Sequence, residues 1–168
     1  LEVLEAGKTL ARIYGERDLL ISECIREGVW SKLDPAGLAA MAAALVYEAR
    51  REEEWEPRIP KGNFQEIMET TVAIWDDLEN LAHSHKLGQT APLDLSLSLP
   101  IHRWASGAKL DAVLDSADLL AGDFIRWTKQ IIDVLDQMAQ TAGPELAETA
   151  KAAVDKVKRG IVAYSYYG

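Results

Sequence analysis

Few residues in this chain have the type and spacing that chemistry requires. Ala6-Gly7-Lys8-Thr9 ends like a phosphate-binding loop, in which backbone amides and a lysine cradle a polyphosphate. That loop needs a glycine five positions before its second one, and Glu2 stands there. His83 and His85 are two apart, about 200° around a helix, and so cannot share a metal from one face. None of the three histidines has a Glu three residues before it, as carboxylate-bundle metal sites require. Cys24 is the sole cysteine, which excludes an internal disulfide, and it shares the apolar side of its segment with Leu20 as a core thiol would. With no Gly-x-Ser-x-Gly elbow either, the expectation is no catalytic, cofactor-binding or metal-binding residue.

Binding chemistry is better represented. In the segment from Phe124 to Gln140, Arg126, Gln130, Asp133 and Gln137 follow steps of four, three and four, which on a helix is one continuous line of hydrogen-bonding groups. Such a line is either an ordinary solvated face or a contact surface. Glu48 falls on the stripe of Met41, Ala44 and Leu45 near a helix C-terminus, where the dipole disfavours an anion. It either bends out to solvent near Arg51 or is held at a half-buried functional surface.

The elements that position these groups read as helices. A pattern from Glu16 turns Leu19, Leu20, Cys24, Ile21 and Ile25 inward and stops at Gly28. Asp34-Pro35 starts an almost wholly apolar central helix running to about Arg51. Asn63, with Glu66 three residues on, caps a long amphipathic helix to about Leu87. Ala91 to Ile101 alternates between Pro92 and Pro100 and is expected to be an extended strap, followed by a short turn at Trp104 and a short helix over about 109–115. The helix holding the polar line starts at Asp118 or Asp123, with Trp127 in its apolar half as a core anchor. A last helix over Leu146 to Val157 ends by Gly160, and Ile161 to Tyr167 trails as an extended tail. The predicted fold is all-α, a helical bundle over 16–168 with a short extended or hairpin lead-in over 1–15 and an extended central strap.

Bulk numbers narrow the function. The 168 residues are 48% hydrophobic, enough for one compact domain with a real core. Eighteen basic against 27 acidic residues give a net charge of −9, which opposes unaided capture of a polyphosphate backbone. There is no apolar run of membrane-spanning length and no signal-peptide pattern at Leu1, so a cytoplasmic protein without membrane contact is expected. A start at Leu1 within patterned sequence suggests a piece of a longer polypeptide.

Four ordered blocks carry a family resemblance. They are Leu33-Asp34-Pro35 with Val46-Tyr47-Glu48-Ala49-Arg50; Ser98-Leu99-Pro100-Ile101-His102-Arg103-Trp104-Ala105-Ser106-Gly107; Ala121-Gly122-Asp123-Phe124-Ile125-Arg126-Trp127 with Lys129-Gln130; and Lys158-Arg159-Gly160-Ile161-Val162-Ala163-Tyr164-Ser165. From about Ala11 to Ser165 the chain resembles the DSHCT domain, the C-terminal helical domain of superkiller-like and exosome-associated DExH-box RNA helicases, in wording nearest the actinobacterial HelY-like branch. The resemblance implies a non-catalytic domain that packs on the RecA-like domains of its own chain and lines the path of single-stranded RNA, with ATP and magnesium bound by the parent helicase. It implies nucleic-acid-facing roles for Glu48, Gln130 and Asp133, which Arg126 and Gln137 share by lying on the same line. Arg126 alternatively holds the bundle together through a buried ion pair. A stand-alone all-α protein-interaction module is the competing function.

Overall fold

The computed structural model describes residues 17–48, 57–84 and 93–167, with the side chains of 82–84 excepted; among these residues there is no β-strand. The lead-in over 1–15 and the acidic connection over 49–56 lie outside the described residues. The chain divides into two compact units, Leu1–Val29 with Glu66–Pro92, and Trp30–Gln65 with Leu93–Gly168.

In the first unit, α1 covers 17–27 and ends at Gly28, whose φ of 70° is the left-handed conformation of a helix terminator. Leu20, Ile21 and Cys24 are its buried positions. The long helix α3 (Phe64–Ser84) contributes Met68 and Thr71 to the buried set, and the Thr71 hydroxyl donates to the Ile67 carbonyl at 2.8 Å.

The second unit is built on α2 (Pro35–Val46). Asp34 accepts from the Gly37 amide at 2.7 Å, and Pro35 occupies the first turn, where no donor is needed. Gly37 is required there, since a Cβ would stand 2.9 Å from the capping Asp34 oxygen. Every residue from Ala36 to Leu45 is buried. Five of the ten are alanines beyond Ala36, so neighbouring backbones approach closely, and α4 (Ser98–Ala105), α6 (Ala121–Thr141) and α7 (Pro144–Val157) all pack on it. Between α4 and α6 lies α5 (Leu110–Ala117), and α8 (Gly160–Tyr164) closes the chain.

Several boundaries differ from expectation. α2 ends at Val46, not near Arg51, because Tyr47 turns into extended backbone and buries its ring against Trp127, with centroids 5.0 Å apart and an edge-on angle of 78°. From Leu95 on, the strap is not extended. Asp94 accepts from the Ser96 amide and starts a 3₁₀ turn, Leu95–Leu97, that leads straight into α4. Pro100 is tolerated because it falls in the first turn of α4, where its missing N–H has no helical partner to lose. α6 starts after Leu120; Asp118 instead takes a left-handed conformation at the end of α5, with φ 54°. The Asn63 amide donates to the Lys32 carbonyl at 3.0 Å. The tail forms the short helix α8 rather than an extended segment.

α7 and α4 are tied at their C-terminal ends by two residues. The Trp104 indole donates to the Val157 carbonyl at 2.8 Å, while the Arg159 guanidinium donates to the carbonyls of Trp104 and Ala108 at 2.6 Å each. That guanidinium lies 3.6 Å from the Trp104 ring centroid. It thus places positive charge and fork-shaped donors on the carbonyls that a helix end leaves open.

Candidate nucleic-acid interface

α6 separates its residues by periodicity. Phe124, Thr128, Ile131, Ile132, Leu135 and Met138 are buried. Arg126, Gln130, Asp133 and Gln137 are all exposed, within an arc of about 60° and over about 16 Å of axis at 1.5 Å per residue. The structure therefore brings these four expected residues together on one helix face, and exposed Gln140 continues the line by one further step, a position that the sequence reading passed over. Glu48 is exposed two residues beyond the end of α2, so it is not at the half-buried surface that was one of its two readings.

Arg126 pairs with Asp123 at 3.0 Å, both exposed, which replaces the expected buried ion pair with a surface one. Its guanidinium carbon lies 6.0 Å from the Trp127 ring centroid. Trp127 itself is half-buried, so it is a flank of the face and not the core anchor its apolar neighbours suggested; buried Thr128 takes the inward position and returns its hydroxyl to the Ile125 carbonyl at 2.7 Å.

The C-terminal segment reaches the same helix. Lys129 donates to the Ser165 carbonyl at 3.4 Å, and the Tyr166 ring has the ammonium of Lys158 at 4.1 Å and that of Lys129 at 5.0 Å. Partial burial raises the Tyr166 phenol pKa, and the carboxylates of Asp133 and Asp136 push it further in the same direction. Asp133 thus belongs both to the polar line and to this aromatic–cation cluster. Nothing in the local pattern of 158–167 announces that pairing, since it depends on where α7 delivers the chain.

Among the described residues no group of three or more His, Cys, Asp or Glu side chains could hold a metal ion, and no helix is long and apolar enough to cross a membrane. The DSHCT (NUC185) domain matches residues 1–165. The chain belongs to the DSHCT family. This DSHCT domain is 37% identical over 173 residues to the probable helicase HelY of Mycobacterium tuberculosis, a match covering 96% of the chain and 19% of that protein. It is equally 37% identical, over 174 residues, to the probable helicase HelY of Mycobacterium leprae. The chloroplastic DExH-box ATP-dependent RNA helicase DExH15 of Arabidopsis thaliana is 27% identical over 166 residues, 94% of the chain and 14% of that helicase. The DSHCT domain spans 19% or less of the length of these relatives.

Proposed function

We propose that this DSHCT domain is the non-catalytic C-terminal domain of a cytoplasmic, ATP-dependent DExH-box RNA helicase, packed on the RecA-like motor of its own chain and presenting the exposed face of α6 to the RNA strand. The observation that carries the reading is the line of Arg126, Gln130, Asp133 and Gln137, exposed together on a helix whose opposite side is buried. Its groups are mostly neutral or paired, which suits base-edge and sugar contacts to a strand already gripped elsewhere, rather than first capture of a polyanion. Glu48, exposed beyond α2, is assigned the same face of the RNA path. ATP and magnesium belong to the motor domains, and hydrolysis is their activity.

The test uses the full-length helicase. Gln130→Ala with Asp133→Ala is expected to reduce strand unwinding several-fold while RNA-stimulated ATP hydrolysis stays within about twofold, a change in barrier near 0.4 kcal/mol. Equal unwinding by wild type and double variant at matched hydrolysis would remove the assignment.

A further inference from the structure

A second candidate lies beside α4, in the Trp30–Gln65 and Leu93–Gly168 unit. Arg58 from the 57–63 loop, Ser96, Leu99, Pro100 and Arg103 along the 3₁₀ turn and α4, and Ser116 near the end of α5 line an open cleft of about 200 Å³. Among the described residues its lining includes two arginines and no Asp or Glu, in a chain with a net charge of −9. Neither the Arg58 nor the Arg103 side chain has an ion pair or a hydrogen bond among the described residues, whereas the side chains of Arg26, Arg126 and Arg159 each have a partner. The Ser96 hydroxyl is likewise uncommitted, its backbone amide alone being used by Asp94. Ser116 gives its proton to the Val113 carbonyl at 3.0 Å. Leu99 and Pro100 form an apolar wall beside these donors.

From this geometry we infer that the cleft binds a phosphomonoester, the dianionic group at the end of an RNA strand or on a free nucleotide. Two guanidinium forks match its charge of about −1.5 to −2 and its three acceptor oxygens, whereas one carboxylate would leave half the positive charge uncompensated. An internal stretch of phosphodiester backbone fits less well, because two arginines are the basic residues of the described lining and Asp94 and Asp115 lie within two residues in sequence of Ser96 and Ser116. The apolar wall then seats the carbon skeleton next to the phosphate. The inference does not rest on the helicase reading, since it involves no residue of α6.

The experiment follows the arginine Nε–H resonances of the 168-residue chain during titration with inorganic phosphate, uridine 5′-monophosphate, and a six-nucleotide RNA with either a 5′-phosphate or a 5′-hydroxyl. Saturable shifts of Arg58 and Arg103 with phosphate and with the monophosphate are expected, with dissociation constants below about 1 mM. Arg103→Gln should weaken binding at least tenfold and Arg58→Lys, which keeps charge but loses the fork, several-fold. Arg26→Gln should bind as wild type, and unchanged thermal midpoints would show that the variants fold. Tighter binding of the 5′-phosphorylated RNA than of the mononucleotide assigns the source to a strand end; equal binding assigns it to a free nucleotide. Non-saturating shifts, equal loss in Arg26→Gln, or equal binding of the 5′-hydroxyl RNA would overturn the inference, the last by showing diffuse polyanion attraction.

Discussion

Arg159 donates to the carbonyls of Trp104 and Ala108, the former shared with the Gly107 amide, and it does so while stacked on the aromatic ring whose backbone it caps. Burial lowers its pKa, which is tolerable only because the guanidinium retains its proton far above physiological pH. A lysine would keep the charge but could not reach both Trp104 and Ala108 with one planar group, so Arg159→Lys is expected to lower stability by about 1–2 kcal/mol in urea unfolding. Cys24 is the opposite case, a side chain made inert by its place. Burial pushes its thiol up to about 12, despite the Thr71 hydroxyl acting the other way. It should resist alkylation in the folded chain at neutral pH and react only on unfolding. Because the unfolded chain ionises this thiol first, its contribution to stability is complete below about pH 9 and is lost as pH rises toward 12. Asp133→Asn should bring the Tyr166 phenol back toward the ordinary tyrosine range, read as a shift to lower pH in the ultraviolet phenolate titration, since one of the carboxylates that hold it up is gone.

At the scale of elements, α2 was legible because its signals are local. Asp34 and Pro35 cap the start, and an apolar circumference buries the whole turn sequence. α6 was legible because its period separates buried from exposed positions over 21 residues, and that same period put Arg126, Gln130, Asp133 and Gln137 on one face. α4 was not legible: two prolines eight residues apart look like breakers of any helix, and only their placement relative to the first turn tells a permitted proline from a forbidden one. Tyr47 and Trp127 show the other kind of failure. Their edge-to-face contact accompanies the early end of α2, a tertiary effect with no trace in periodicity, whereas the marginal place of Trp127 follows from its angle of about 70° from the centre of the buried face of α6. The close approach of α4 to α2 sets a further expectation. Ser98 is fully buried and donates to the Ala40 carbonyl at 2.9 Å, and Ala40 has no exposed surface. Ala40→Leu should therefore cost about 1–3 kcal/mol or more by overpacking, and Ser98→Ala about 1 kcal/mol, both measurable by chemical denaturation. Gln130→Ala with Asp133→Ala, on an exposed face, should leave the thermal midpoint within about 2 °C.

For the whole molecule, charge and size decide how the DSHCT domain can act. A net charge of −9 works against collecting RNA from solution, so the isolated chain should bind an unphosphorylated single strand more weakly than about 1 μM at physiological salt. Under the proposed function the strand would reach this face already confined by the motor, and neutral and paired polar groups would suffice to guide it. The mutual tie between Trp104 and the end of α7 adds a consequence for observation. One indole proton is held by Val157, 53 residues away, beneath a stacked guanidinium, and Gly160 with φ 52° lies so close that a Cβ there would touch the ring at 3.4 Å. That proton can reach solvent only when α4 and α7 part. Its deuterium exchange rate is therefore a single-atom gauge of how often this seam opens, readable in a spectrum with only five indole signals.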